Sequence, residues 1–253
     1  MLGVDKGGWY LLLLPLIPMS GAALLIPLSW KFPGEINGYG FPKFIKKVNL
    51  EGGYIRGRTI FLKILSTALT IGSGNSAGVE GPIAQIGGAA GSQVGQASRV
   101  SGNRMKVYIA AGCAGGIAGM FNAPLAGIFF ASEIVLLGTL EISSFAALVI
   151  ASAISTVVTR AYFGPHSVFP IPEYEVVNYF AEVPLYATMA VFIGFLAAFH
   201  IHVFYKVRDY CEKLTLHPFL KPIAGAFCVG VIAICFPQVM GVGYEYMEQV
   251  LHN

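Results

Sequence analysis

The stretch Gly72-Ser73-Gly74-Asn75-Ser76-Ala77-Gly78-Val79-Glu80-Gly81-Pro82 decides how the rest of the chain is read. It is a glycine-rich interruption between two apolar segments, and it carries one carboxylate, that of Glu80. Glycine lets backbone amides turn toward a ligand with no Cβ in the way. Pro82 suits the first turn of a helix, where its missing N–H costs nothing. Ile83 to Gly91 then continue as a small-residue helix able to pack closely. A loop that feeds a helix N-terminus inside a membrane favours anions, because its free N–H groups and the helix dipole both attract negative charge. Glu80 is itself an anion in that place, so it is expected to compete with a permeant one. Taken alone, such a stretch favours a soluble loop or phosphate cradle. It lacks the Lys-Ser/Thr ending of a P-loop, and its spacing is not the dinucleotide-binding fingerprint.

Composition supplies the context. Of 253 residues, 55% are hydrophobic and 11% charged, against about 25% charged in soluble domains, so the chain reads as a multi-pass membrane protein. A net charge of +3 gives no case for a nucleic-acid partner. The basic residues gather at Lys43, Lys46, Lys47, Arg56 and Arg58, and again at Arg99, Arg104 and Lys106. Such clusters mark water-facing loop ends with a cytoplasmic bias, and Arg160 is expected to reach the interface. Cys113, Cys211, Cys228 and Cys235 have no metal-ligand spacing, and no cofactor or disulfide framework is implied. His200 and His202 are two apart and point to different helix faces, a poor metal pair. The hydrolase and metalloprotease signatures are absent, so an enzyme is not expected. Met1 to Gly8 lacks the features of a signal peptide.

Taken in order, Trp9 to Trp30 is the first span, with Pro15, Pro18 and Pro27 expected to kink or unwind it. A second glycine/proline break, Phe32 to Pro42, precedes Phe44 to Leu50, too short to cross and so a broken helix. Arg56 to Ile71 leads into the Glu80 break. Pro82 to Gln96 carries Gly87, Gly91 and Gly95, and Met105 to Gly119 carries Gly112, Gly116 and Gly119, spacings that permit close helix contact in lipid. Phe121 to Phe130 is another break, opening a helix at Pro124 beside a capping Asn122. Ile142 to Tyr162 spans, Gly164 to Tyr179 is a loop, Pro184 to Lys206 spans again, Pro222 to Phe236 is a short apolar helix, and Glu245 to Leu251 closes the chain. Phe32-Pro33 before Gly38-Tyr39-Gly40 is echoed 204 positions on by Phe236-Pro237 before Gly241-Val242-Gly243. Paired broken segments point to a repeat-built transporter or channel. The expected organisation is a first repeat over 1–180 and the start of a second over 181–253, in a truncated chain.

Three ordered motifs resemble the CLC family of chloride channels and chloride/proton antiporters. Gly78-Val79-Glu80-Gly81-Pro82 matches G-[K/R]-E-G-P with Val79 in the basic position, and Gly38-Tyr39-Gly40-Phe41-Pro42 matches G-S-G-I-P with Tyr39 in the serine position. Phe121-Asn122-Ala123-Pro124-Leu125-Ala126-Gly127 matches F-N-A-P-L-A-G without change. The resemblance runs from Trp9 to the end and lacks the first membrane helix and most of the second half, with its G-x-F-x-P motif and pore tyrosine. It implies an all-α, inverted-repeat membrane bundle of broken and tilted helices with an incomplete second repeat, assembled as a homodimer with one pore per subunit. Its ligand is chloride or another small anion, and its place is the lipid bilayer of the plasma (inner) membrane. By position, Glu80 is the gating glutamate. Val79, Glu80 and Gly81 form the outer anion site, and Gly38, Tyr39, Gly40 and Phe41 the inner one. Tyr39 replaces a serine whose hydroxyl helps select chloride, and Val79 removes a charge at the entrance. Aligned to the antiporters, Glu133 precedes the proton-relay position and Ile134 occupies it. Isoleucine carries no proton, which favours a passive anion channel over an antiporter; a truncated, non-conducting fragment is the third reading. A charge in mid-bilayer costs roughly 2.5–3.5 kcal/mol on insertion scales, which favours a working role for Glu80 over a structural carboxylate. For Tyr39 packing or interface anchoring is the competing role, and for Glu133 a structural one.

Overall fold

The computed structural model describes residues 13–36, 40–138, 142–166, 168–169 and 179–252, and among them every regular element is helical. The order is α1 (Leu16–Lys31), α2 (Gly40–Leu50), α3 (Arg58–Gly72), α4 (Glu80–Ala97), α5 (Gly102–Phe121), α6 (Pro124–Phe130), which runs on as a π turn over Ala131–Val135, then α7 (Ile142–Phe163), α8 (Tyr179–Lys213), α9 (Leu220–Cys235) and α10 (Tyr244–Leu251). The breaks at Gly72–Pro82 and Phe121–Pro124 fall where glycine and proline placed them. α3 stops at Gly72 and α4 starts at Glu80, with no side chain capping that start. Pro27 lies within α1, and Pro15 is its N-cap.

The core is the α4–α5 pair, and its glycines explain why. A Cβ on Gly87 would strike the Gly112 carbonyl, one on Gly91 the Tyr108 carbonyl, and one on Gly116 would lie 2.8 Å from the Ile83 oxygen. The backbones therefore touch, as small-residue spacing in lipid allows. Gly119 faces α7 instead, 2.6 Å from Ser155 Oγ by the same construction. Side-chain hydroxyls of α7 join it to both neighbours: Ser155 Oγ donates to the Gly115 carbonyl of α5 at 2.6 Å and Ser152 Oγ to the Pro124 carbonyl of α6 at 2.9 Å. α2 lays Phe44 and Val48 into this core beside Met105, Ile109 and Cys113.

Two helices, α7 and α8, contain segments long and apolar enough to cross a membrane, Ser144–Phe163 and Glu182–Lys213. The α8 segment buries none of its residues inside the chain, and a helix apolar on all sides needs lipid or protein around it. α1 and α9 pack together and run antiparallel: Pro15 at the start of α1 meets Gly230 late in α9, while Ile26 and Ser29 share a cavity with Phe219 and Lys221.

Two local expectations are corrected. Asn122 does not open α6; it closes α5 in the left-handed conformation at φ 53° and ψ 33°, donates to the His166 carbonyl and accepts from Arg160 Nε at 2.6 Å. Arg56 and Arg58 are not bare loop ends. Both hold Glu35, with Arg58 Nη2 at 2.6 Å and Arg56 Nη1 at 3.2 Å from its Oε1, which ties the α1–α2 connection to the start of α3. Burial alone would raise the Glu35 carboxyl; the hydrogen bonds from Arg58 and Arg56 and the Arg58 charge outweigh that and hold it below its ordinary value.

Candidate anion site

The first turns of α2 and α4 meet. A Cβ on Gly81 would lie 3.7 Å from Phe41 Cβ, and one on Gly40 would lie 3.0 Å from Nε2 of Gln85, a residue of α4. Two helix starts rich in small residues can approach this way, and both bring unsatisfied N–H groups with them. Between them lies a cavity of about 450 Å³ lined by Gly40, Phe41, Gly78, Glu80, Gly81 and Gln85, with α3 as its far wall. Four of the site residues expected from sequence, Gly40, Phe41, Glu80 and Gly81, are thus brought to one place. Val79 is the N-cap of α4 and does not line the cavity. Gly38 and Tyr39 lie outside the described residues.

The Glu80 carboxylate is oriented from both sides. Its Oε2 occupies the space a Cβ on Gly78 would need, so any larger residue at 78 would displace it. Its Oε1 accepts a hydrogen bond from Tyr244 Oη at 2.8 Å. Amides of its own helix start were the expected donors; among the described residues none donates to it. Tyr244 sits at the first position of α10, 164 residues further along the chain, and spacing alone carries no signal for that contact. The loop before Glu80 is anchored as well: Asn75 Nδ2 donates to the Pro18 carbonyl of α1 at 3.0 Å, and the Ala77 amide donates to the Gly241 carbonyl at 3.2 Å.

The sequence reading also missed the α3 wall. Lys63, Ser66, Thr67 and Thr70 line the cavity, and their 3- and 4-residue spacing puts them on one helix face, a signal visible in an otherwise apolar helix. Ser66 Oγ donates back to the Lys63 carbonyl and Thr70 Oγ1 to that of Ser66 at 2.7 Å, so the hydroxyls need no other acceptor. Gln85, 6% exposed, adds an amide beside Gly40. Ile134 lies in the π turn and is 42% exposed, and Glu133 stands in the same turn. Among the described residues no cluster of His, Cys, Asp and Glu could hold a metal.

A family model described as voltage gated chloride channel matches residues 21–253. The putative chloride channel protein ClcB-like of Ralstonia nicotianae is 27% identical over 250 residues, which is 96% of this chain and 57% of that protein. Chloride channel protein CLC-f of Arabidopsis thaliana is 34% identical over 202 residues, 76% of this chain and 26% of that one. Among solved structures, a slow cyanobacterial Cl−/H+ antiporter superposes with a TM-score of 0.77 at 23% identity, covering 93% of this chain and 56% of that one. A CLC-type fluoride/proton antiporter gives 0.76 at 20% identity, covering 94% and 59%. At those identities the likeness establishes the fold. The chain spans about half the length of the proteins it matches end to end.

Proposed function

The chain belongs to the voltage gated chloride channel family, and from that premise we propose that it takes part in passive, gated conduction of chloride or another small anion, with Glu80 as the gate. The observation that carries this reading is the convergence of the α2 and α4 starts on one cavity that also holds the Glu80 carboxylate. A permeant anion would be met by the first-turn amides of both helices, around Gly40 and Phe41 on the inner side and Val79 and Gly81 on the outer, with Gly38 and Tyr39 completing the inner set. The ionised Glu80 side chain fills the outer position and excludes the anion; protonation removes its charge and lets an anion take its place. The same relationship makes opening rise as external pH falls and as external anion concentration rises.

Passive conduction is supported by Ile134, which holds the position of the proton relay by the family resemblance and has no ionisable group. Proton-coupled exchange is the second reading, favoured by the two structural neighbours, which are antiporters of chloride and of fluoride. In either case we infer an integral membrane homodimer, paired through residues from about Phe129 to Ile154, where Phe129, Leu137, Ile150 and Ile154 leave large apolar surfaces exposed.

The test is anion efflux from proteoliposomes at acidic and neutral pH. Glu80→Gln mimics the protonated side chain and is expected to hold the pathway open with its pH dependence lost. Retention of the parent's pH response by Glu80→Gln removes Glu80 as the gate. A reversal potential that follows the proton gradient selects the antiporter over the channel.

A further inference from the structure

The turn between α9 and α10 lies against the gate, and three independent contacts make the connection. The Ala77 amide donates to the Gly241 carbonyl at 3.2 Å. The Met240 thioether end occupies the space beside Gly74 where a Cβ would fall. Tyr244 Oη donates to Glu80 Oε1 at 2.8 Å. The Tyr244 ring is itself fixed edge-on between Phe121 at the end of α5, with ring centres 6.5 Å apart, and Phe169, at 5.0 Å. A ring wedged between two others and standing on the first residue of a helix has little freedom, so its hydroxyl is presented at a set point. A phenol stays protonated at neutral pH and can donate there.

We propose that Tyr244 is a positioning residue for the Glu80 gate: its hydroxyl latches the carboxylate in the blocking position and couples the gate to the α9–α10 turn. The proposal rests on Glu80 being the gate. A hydrogen bond from a neutral donor favours the ionised carboxylate over the protonated one, so the latch and the closed state support each other. The groups that face Glu80 are few among the described residues. Lys63 on α3 is the other charged side chain lining its cavity, α1 and α2 contribute Leu25, Gly40 and Phe41, and α10 contributes Tyr244. Lys63 stays in place when Tyr244 is changed.

Tyr244→Phe removes the hydroxyl and keeps the ring between Phe121 and Phe169, so packing is preserved. In proteoliposomes it is expected to raise anion efflux at neutral pH about tenfold, the order set by losing a hydrogen bond to a charged group, and to move the pH of half-maximal flux upward. In the Glu80→Gln background the same change is expected to add nothing, because no charged carboxylate remains to be held. Three outcomes overturn the latch in different ways. If Tyr244→Phe keeps the parent's pH profile while Glu80→Gln loses it, the gate stands and the latch does not. If Tyr244→Phe raises flux equally in both backgrounds, Tyr244 acts on the pathway independently of the gate. If Glu80→Gln itself keeps the parent's profile, the gate assignment fails and the latch fails with it.

Discussion

The α1–α2 unit and the α9–α10 unit are the same piece of backbone used twice. Displaced by the 204 positions that separate Phe32 from Phe236, Leu16–Lys31 becomes Leu220–Cys235, and the start of α2 at Gly40 becomes the start of α10 at Tyr244. The helix ends agree in detail. Phe32 closes α1 at φ −128° and ψ 64°, Phe236 closes α9 at −132° and 77°, and each amide returns to the fourth carbonyl before it, at 2.9 and 2.8 Å. The next bonds match too: Glu35 N to Phe32 O, and Val239 N to Phe236 O. α1 and α9 lie antiparallel, the arrangement expected of an inverted repeat. What differs is the side chains. α2 drives Phe44 and Val48 into the core and lends its N-terminal turn to the cavity, whereas α10 buries none of its residues and lends a phenol to Glu80. One backbone design can therefore wall the cavity in one copy and hold the Glu80 carboxylate in the other, because termini are set by glycine and proline while duty is set by the residues between them.

Three experiments test that contrast, the largest effect first. Phe44→Ala empties a packed site in α2 and is expected to cost about 3–5 kcal/mol, while Glu248→Ala, at the equivalent position of α10, should stay within about 0.5 kcal/mol. Chemical denaturation of the two variants in the same detergent reads the difference, and equal losses would end the claim that the copies are packed differently. Gly230→Val attacks the seam between the units, since its Cβ would meet the Pro15 backbone. A loss of about 1–3 kcal/mol is expected, whereas an unchanged denaturation midpoint would mean that α1 and α9 are not held together there.

The smallest effect is a pH dependence that one copy has and the other lacks. Glu35 is held below its ordinary value by Arg58 and Arg56, and its counterpart Val239 has no charge. A depressed carboxyl stabilises the fold above its unfolded-state value and loses that contribution as pH falls through the lower, folded-state value. Thermal midpoints should thus decline in that acidic range for the parent, and Glu35→Gln should remove that part of the decline. The two guanidinium groups are largely exposed, so the contribution is small. A parent and variant with the same acid profile would show that the tether carries no weight.

The sequence by itself determined where this chain breaks and that it belongs in lipid. Gly72 to Pro82 and Phe121 to Pro124 end and restart helices because glycine and proline act on the local backbone. The glycines at 87, 91, 112 and 116 foretold a close helix pair because their spacing is a helical period. The 204-residue echo was legible for the same reason, since a repeat is a local pattern seen twice. Tertiary structure alone decided which surfaces meet. That Glu80 is held by Tyr244 and not by its own amides, that Arg56 and Arg58 converge on Glu35, and that Gln85 stands beside Gly40 are contacts between residues far apart in the chain. No period or propensity encodes such contacts. They follow from how two helix starts and an antiparallel pair of repeat units pack, and packing depends on the shapes of both partners at once.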